Sequence, residues 1–299
     1  MSTYITFCVK ERDLATSTIE TRVAALRAWH RRQSAELQLM GLPVPADPLD
    51  SSAVADLLTA VRRRHGKPAV GRRPLSKTEF ERVFSHGFDL SSAHGLHHRL
   101  CLMLLTLGCL RRVAAAHLRV FYRLEGAKVV FEEQSDVKVL YDDTEGMFYL
   151  RLRVNVDKNV REREEVYAYV PSAFRNLSAR PVDVLLDYLR RVRPPSGSYL
   201  LAAPRSARLP AVGFHSTPYR GMCAAFKRAV QAAFPRATPE LVTRVGSHSG
   251  RKSLAQWLWD AYASLRLICD VGHWKSSGDA VSLYFVSSRH VILRCLASL

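Results

Sequence analysis

The feature that most constrains this chain is an apolar run near its centre, Leu100 to Leu110, which reads LCLMLLTLGCL and is followed at once by two arginines. Such a run needs burial, yet it is much shorter than the roughly 20 continuous apolar residues of a membrane-spanning helix. The N-terminus, MSTYITFCVKERD, carries acids and bases where a signal peptide has an apolar core. We therefore predict a buried apolar helix over Leu96 to Leu118, in an intracellular protein that is not bound to a membrane.

Composition fits a globular protein with a polyanionic partner. The chain has 299 residues, enough for one large domain or two ordinary ones, and a hydrophobic fraction of 47%. Its formal net charge is +17, which makes nucleic acid the first candidate partner and an anionic membrane surface the second. The six cysteines include no C-x-x-C pair and no zinc-finger spacing, so we expect reduced thiols.

The N-terminal region has the pattern of two helices. Ser17 to Glu20 has the form of a capping box, and a stripe of apolar residues follows on one helix face, opposite a basic face. Asp50 is a candidate N-cap for the second helix. The apolar stripes are Ile19, Val23 and Leu26 in the first helix and Val54, Leu57, Leu58 and Val61 in the second, and the basic face of the first carries Arg22, Arg31 and Arg32.

A basic segment, Val61 to Lys77, separates this region from the rest of the chain. It holds seven lysines and arginines, no acid, and several Gly and Pro residues, so we predict an extended linker. We place the domain boundary near residue 70, with a helical domain over 1–70 and a second domain over 74–299. Candidate contacts to nucleic-acid phosphates are Arg62, Arg63, Arg64, Lys67, Arg72 and Arg73 here, and Lys252 further on.

The second domain is predicted to be mainly helical with a small antiparallel sheet. It opens with a capping box, Ser76 to Glu79, ahead of the central apolar helix. Alternating patterns predict strands over Lys128 to Glu133, Met147 to Val156 and Glu164 to Pro171. Helices return from about Val182. This order of helices, sheet and helices indicates an α+β class without alternating βαβ units.

Two basic residues in this domain stand in unusual places. Arg111 follows the apolar run, where a charge is costly unless it is paired or faces a cavity, and Arg112 is the alternative at the same point. The simpler interpretation is a helix that emerges into solvent there. Lys158 lies in a predicted turn between two strands, as either a solvated lysine or a hairpin tip that brings an ammonium group into a cleft.

A third group lies near the C-terminus, in GSHSGRKSLAQWLWD. His248 and Arg251 are three residues apart and share a face on a helix, with Ser247 or Ser249 as a candidate cap. A helix N-terminus of this kind favours anions. Downstream, GHWKSSGDAVSLYF contains His273, Trp274 and Tyr284, each of which is unremarkable taken alone.

Motifs for other chemistries are missing from the sequence. It contains no H-E-x-x-H zinc motif and no G-x-x-x-x-G-K-[ST] phosphate loop. It also lacks the G-x-S-x-G element of serine hydrolases. We therefore expect neither a metal nor a cofactor.

The order Arg111, Lys158, His248, Arg251, His273 and Tyr284 resembles the catalytic set of the tyrosine recombinases, the phage integrase family. GCLRRVAAAHLRV is similar to the family's first arginine box, HSGRKSLAQWLW to its second, and VGHWKS with the following tyrosine to its last. TIETRVAALRAWHR looks like the family's core-binding domain. The resemblance thus covers nearly the whole chain, with its strongest motifs from about residue 100 onward.

This resemblance implies a core-binding domain and a catalytic domain around duplex DNA. Tyr284 would be the nucleophile that forms a 3′-phosphotyrosine, and Arg111 and Arg251 would hold the non-bridging oxygens. His248 would accept the tyrosine proton, Lys158 would protonate the leaving 5′-oxygen, and His273 would hydrogen-bond the phosphate. The implied assembly is a tetramer on paired sites, acting on DNA in a nucleus or a nucleoid, with no cofactor. The tail VSSRHVILRCLASL is expected to form a helix that docks on a neighbour or on its own domain.

The chain departs from the family pattern at three points. Ala114 stands where an acid is common, and Lys252 stands where histidine is frequent. The interval from His273 to Tyr284 is longer than in bacterial members, and HSGRK with GHW is more similar to eukaryotic mobile-element recombinases of the Crypton or DIRS kind. Two alternatives remain at this point: a type IB topoisomerase with the same chemistry, and a catalytically inactive DNA-binding protein derived from a recombinase.

Overall fold

The computed structural model of the protein describes residues 2–10, 16–65, 72–156 and 166–274. The chain divides into two compact units, Met1–Val70 and Gly71–Leu299. Within the described ranges, no helix is long and apolar enough to cross a membrane. Five cysteines in these ranges are free thiols.

The first unit consists of three helices, α1 (Ser2–Lys10), α2 (Thr16–Leu39) and α3 (Ser52–His65). Their apolar stripes meet in a small core, which contains Ile5, Cys8, Ile19, Val23, Leu49, Val54, Leu58 and Val61. The predicted basic face of α2 is exposed at Arg22, Arg31 and Arg32. The capping box predicted at Ser17 to Glu20 begins outside the residues whose side chains are described.

Two predictions for this unit need correction. The Val54 N–H donates to the Ser51 Oγ at 3.4 Å, so Ser51 and not Asp50 caps α3. The predicted linker also starts later than expected, because α3 continues to His65. Val61 is buried one turn after Leu58 and anchors this end of the helix, and the first helix-breaking residue, Gly66, follows only then.

The helices of the second unit surround the predicted apolar helix. α5 (Ala93–Thr106) is buried over most of its length and packs against α7 (Pro181–Arg191), α8 (Met222–Ala233) and α10 (Ser247–Asp260). The capping box predicted at Ser76 to Glu79 is confirmed, since the Glu79 N–H donates to Ser76 Oγ and the Ser76 N–H donates to the Glu79 carboxylate. The other helices are α4 (Lys77–His86), α6 (Arg112–His117), α7 (Pro181–Arg191), α8 (Met222–Ala233), α9 (Pro239–Arg244), α10 (Ser247–Asp260) and α11 (Leu265–Gly272).

Two small antiparallel sheets lie between α6 and α7. The first pairs β1 (Tyr122–Glu125) with β2 (Lys128–Phe131). The second has the order β3–β4–β5, with β3 (Val137–Asp142), β4 (Met147–Arg153) and β5 (Tyr167–Pro171). Leu150 and Leu152 of β4 are fully buried against the helices, as expected for one face of an antiparallel sheet that covers a core. The α+β class is therefore confirmed, while β1 and β3 were not among the predicted strands.

The central helix is shorter than predicted, because α5 ends at Thr106 and α6 begins only at Arg112. The chain turns sharply in between, where Cys109 has a φ of +48°. That left-handed conformation is costly for a residue with a side chain and cannot continue a right-handed helix. The turn ends at Arg111, which has extended backbone angles and is the N-cap of α6.

α10 packs on α5 at very short range. A Cβ atom on Gly250 would lie 2.6 Å from the Thr106 Oγ1 and 3.0 Å from the Leu105 carbonyl oxygen. Gly250 therefore lies directly against the Thr106 side chain and the Leu105 carbonyl group, and there is no space for a side chain of its own. Further along α10, the Trp257 Nε1 donates to the Leu75 carbonyl at 2.9 Å, which ties the helix to the segment preceding α4.

Candidate active site

Arg111 lies at the end of the turn between α5 and α6 and is half-buried. Its carbonyl accepts the Ala115 N–H at 2.9 Å in the first turn of α6. Arg112, the alternative at this point of the sequence, is exposed on the first residue of the helix. The two neighbouring arginines therefore occupy different environments.

The N-terminus of α10 is built on a glycine and not on either of the predicted serine caps. Gly246 is the N-cap, and the Ser249 Oγ accepts the Gly246 N–H at 3.1 Å. A Cβ atom on Gly246 would come within 2.7 Å of the Cys223 Sγ, so a residue with a side chain does not fit there. Ser249 thus stabilises the helix start from its third position, and the prediction that Ser247 or Ser249 is the N-cap is wrong.

Arg251 is one of the largest fully buried side chains of the described residues, with an exposure of 1%. Its Nη1 donates to the Cys109 carbonyl at 2.8 Å, and its Nη2 donates to the Gly272 carbonyl. Its guanidinium carbon lies 4.4 Å from the centre of the Trp274 ring, at cation–π distance. Arg251 therefore connects the turn before α6 with the end of α11.

His273 directly follows the second of these carbonyls. It is the C-cap of α11, is partly buried, and has a φ of +50°. Cys109 and His273 both have a left-handed backbone conformation although they carry side chains. The Cys109 carbonyl accepts one hydrogen bond of Arg251, and His273 directly follows Gly272, whose carbonyl accepts the other. Such conformations cost about 1–3 kcal/mol each and persist where the surrounding structure holds them. Local backbone bonds hold both residues, since the Cys109 N–H donates to the Thr106 carbonyl and the His273 N–H donates to the Asp270 carbonyl, and the two bonds of Arg251 add to this restraint.

The electrostatics of the site place further cations around His248, whose side chain is exposed at the start of α10. Partial desolvation lowers the pKa of His248, and the charges of Arg251, Arg112, Arg111 and Lys252 lower it further. The imidazole is therefore neutral at pH 7 and able to accept a proton. Burial raises the pKa of the Cys109 thiol to about 11, although Arg251 and Arg111 act in the opposite direction.

The structure thus brings four of the six predicted site residues into one region: Arg111, His248, Arg251 and His273. Lys158 and Tyr284 lie outside the described residues. The sequence interpretation missed the carbonyls of Cys109 and Gly272, because any residue carries a carbonyl. The Trp274 ring packs on the Arg251 guanidinium.

The predicted phosphate contacts have mixed surroundings. Arg72 donates through Nη1 to the carbonyls of Thr243 and Val245, and Arg73 forms an ion pair with Glu79. A DNA phosphate would have to compete with these bonds. Lys252 is half-buried beside Arg251, and partial burial lowers its pKa. The side chains of Arg62, Arg63 and Arg64 and the whole of Lys67 lie outside the described residues.

In the part of the chain that the structure describes, no group of three or more His, Cys, Asp or Glu side chains is arranged to hold a metal ion. The side chains that gather at the site are cationic or neutral. Such an arrangement suits an anion, and a phosphate in particular, because arginine binds phosphate through two N–H groups at once.

Comparison with solved structures identifies the fold of the chain. No protein-family model and no curated protein matches the sequence. Among solved structures, XerH site-specific recombinase bound to its palindromic difH substrate is similar over 99% of this chain and 70% of its own, at 12% identity and a TM-score of 0.54. The Tn1549 transposon integrase with circular intermediate DNA is similar over 99% of this chain and 83% of its own, at 14% identity and a TM-score of 0.53.

The same integrase with transposon right end DNA is similar over the same shares of both chains, at 13% identity and a TM-score of 0.52. The chain therefore has the α+β fold of these tyrosine recombinases.

Proposed function

We propose that this protein is a site-specific DNA recombinase that cuts and rejoins DNA strands through a 3′-phosphotyrosine at Tyr284. The observation that carries the proposal is the clustering of Arg111, His248, Arg251 and His273 in a chain with the recombinase fold. Residues more than 100 positions apart in the sequence contribute to this cluster, and they are the ones that the family pattern requires.

The two arginines stabilise the charge that develops on the phosphate during strand cleavage. Arg111, at the N-cap of α6, is partly accessible and binds a non-bridging oxygen. Arg251 contributes a positive charge that solvent screens little, because its side chain is buried. Arg251 also holds the backbones of Cys109 and Gly272, which orients Arg111 and His273 before DNA arrives. Preorganised charge of this kind typically accounts for about 100-fold or more in rate per donor.

The proton transfers follow from the charge states of the side chains. Neutral His248 accepts the Tyr284 hydroxyl proton, and the tyrosine oxygen forms a bond to phosphorus as the bond from phosphorus to the 5′-oxygen breaks. Lys158 gives a proton to that 5′-oxygen. A 5′-hydroxyl from another strand then attacks the phosphotyrosine and returns its proton to Lys158. The bond between phosphorus and the tyrosine oxygen breaks, His248 gives its proton back to Tyr284, and a DNA backbone bond is restored. Bond energy is conserved, so the cycle needs no nucleotide cofactor.

The proposed partner is duplex DNA, bound by two or more copies of the chain. Strand exchange joins ends from two duplexes, so four protomers on paired sites are expected. The net charge of +17 suits such a partner. We propose integration or excision of a mobile element as the biological event.

The test uses a nicked duplex carrying the DNA that flanks this gene. After cleavage beside the nick, the short fragment diffuses away, and the covalent protein–DNA adduct accumulates for detection on a denaturing gel. We expect an adduct with the wild-type chain and none with Tyr284→Phe. Tyr262→Phe, which changes an exposed tyrosine elsewhere in the second unit, is the matched control. An adduct with Tyr284→Phe at the wild-type level would overturn the assignment of the nucleophile.

A supercoiled plasmid that lacks the flanking DNA separates the recombinase from a topoisomerase. A recombinase requires its sites, so relaxation of this plasmid should be slight at low protein concentration. Efficient relaxation of this plasmid would show that the protein is a topoisomerase and not a recombinase, with Tyr284 still the nucleophile.

A further inference from the structure

A cationic cavity lies beside the candidate active site, between α6 and the segment that precedes α8. Its volume is about 380 Å³. Arg112, Val113 and His117 of α6 form one wall, and Tyr219 and Arg220 form the facing wall. The cavity is large enough for a phosphate group together with part of a sugar.

The charged side chains that line this cavity are positive. None of the described residues that line it is acidic. Arg112 and Arg220 are both exposed, and neither forms an ion pair with a carboxylate in the described part of the chain. Two guanidinium groups without a carboxylate between them repel each other, and a bound anion relieves that repulsion.

The cavity adjoins the site through Arg112. This residue follows Arg111 directly, and its charge contributes to the lowered pKa of His248. Arg112 therefore belongs both to the cavity wall and to the group of cations whose charges act on His248.

The facing wall is held firmly. The Tyr219 ring packs edge-on against the buried His97 ring at 4.6 Å, and its hydroxyl lies 3.1 Å from the His98 Nε2. Burial raises the pKa of Tyr219 to about 12, so the phenol adds no negative charge to the cavity. The wall thus offers a neutral aromatic surface next to Arg220.

We propose that this cavity binds a second backbone phosphate of the DNA substrate, adjacent to the phosphate attacked by Tyr284. Arg112 and Arg220 hold the phosphate from two sides, and the neighbouring deoxyribose packs on Val113 and Tyr219. This inference rests on the proposed function and extends it, since it separates Arg111, which acts at the cleaved phosphate, from Arg112, which fixes the register of the strand.

The experiment measures binding of the full chain to a fluorescein-labelled duplex of mixed sequence at a series of KCl concentrations. The double variant Arg112→Ala, Arg220→Ala should bind about tenfold or more weakly at low salt, because charge-assisted hydrogen bonds are lost. The slope of log affinity against log salt should fall by about 0.9 for each phosphate contact removed. Arg112→Lys should keep most of the slope, since it keeps the charge.

The matched control is Arg208→Ala, Arg236→Ala, which removes the same charge from two exposed arginines outside the cavity. We expect this control to leave the slope unchanged. An equal fall in both double variants, or an unchanged slope in the cavity variant, would overturn the proposal. Binding does not require Tyr284 chemistry, so a wild-type chain that binds with the predicted slopes but forms no adduct would remove the proposed function and not the phosphate site.

Discussion

Arg251 and His97 are both basic side chains with an exposure of 1%, yet they resolve burial in opposite ways. Arg251 keeps its charge, which two backbone carbonyls and the Trp274 ring compensate. His97 gives its charge up, because burial lowers its pKa to about 3, and its neighbour His98 follows with a pKa of about 4. A buried basic group that can lose its proton therefore becomes neutral. A buried group that keeps its proton needs hydrogen-bond acceptors or an aromatic ring to compensate its charge.

This difference explains why the charge of the site rests on arginine. A guanidinium remains protonated at any pH that proteins tolerate, so its burial preserves a positive charge where solvent does not screen it. A histidine in the same position would become neutral and would contribute no positive charge to the binding of a phosphate. His248 is neutral for a related reason, and that state suits its proposed role as proton acceptor.

The largest effect is expected for Arg251→Ala. It leaves two buried carbonyls without their donor and opens a cavity, so we expect a loss of about 3 kcal/mol in the free energy of unfolding. Adduct formation should fall by more than about 100-fold. Urea denaturation and the nicked-duplex assay measure the two effects. Arg266→Ala, an exposed arginine on α11, is the control, and unchanged stability in Arg251→Ala would contradict the buried, compensating role.

Arg111→Ala should separate chemistry from stability. Arg111 is only half-buried, so its removal should change the free energy of unfolding by less than about 1 kcal/mol. Its proposed bond to the phosphate oxygen should still make adduct formation about 100-fold slower at saturating DNA. If Arg112→Ala reduced this rate as much and Arg111→Ala did not, the two arginines would have to exchange their proposed roles.

His97 and His98 of α5 predict a loss of stability in mild acid. Their folded-state pKa values are below the unfolded value of about 6.5, so the unfolded chain binds more protons below that pH. Their contribution is fully present above pH 6.5 and is lost progressively as the pH falls toward about 4 for His98 and about 3 for His97. By pH 5 the loss should be on the order of 2 kcal/mol for a single such histidine.

Urea denaturation at pH 7 and pH 5 measures this loss. His98→Gln should reduce the difference between the two pH values, because a neutral amide does not titrate, whereas His86→Gln at an exposed position should leave it as in the wild type. An undiminished difference in His98→Gln would show that the partly buried imidazole of His98 does not carry the effect.

The smallest effect is expected at the start of α10. Ser249→Ala removes the acceptor for the Gly246 N–H and should lower the free energy of unfolding by about 1 kcal/mol. Ser216→Ala, in an exposed loop, should have no measurable effect. A loss of more than about 3 kcal/mol in the free energy of unfolding of Ser249→Ala would contradict this role. It would mean that the hydroxyl stabilises the packing of α10 as well as its N-terminus.

The α+β class and the helix that carries His248 and Arg251 followed from patterns local in the sequence. Polar residues recur at helical spacing in HSGRKS, and Ser76 with Glu79 has the capping-box spacing that the structure confirms. The break between α5 and α6 was not predictable in this way, because LCLMLLTLGCL stays apolar through the turn. Cys109 has a left-handed conformation, and its carbonyl accepts a bond from Arg251, which is distant in the sequence.

The same limit applied to the cap of α10. Serines next to a helix start normally predict an N-cap, but the neighbouring Cys223 leaves room only for glycine at that position. β1 and β3 were likewise not predicted. Whether a short segment forms a strand depends on its partner strand and on its burial, and a short alternating pattern gives no information about either. Local chemistry could be predicted from the sequence, while features set by distant contacts could not.

The direct contact of Gly250 with α5 has a consequence for local unfolding. Because Gly250 packs directly on Leu105 and Thr106, neither helix can move away without exposing the contact surface of the other to solvent. Amide hydrogens at the end of α5 and the start of α10 should therefore exchange with solvent deuterium in a single cooperative step. Arg111, His248 and Arg251 would then be assembled and disassembled together, and partly formed versions of the site would be rare in the native ensemble.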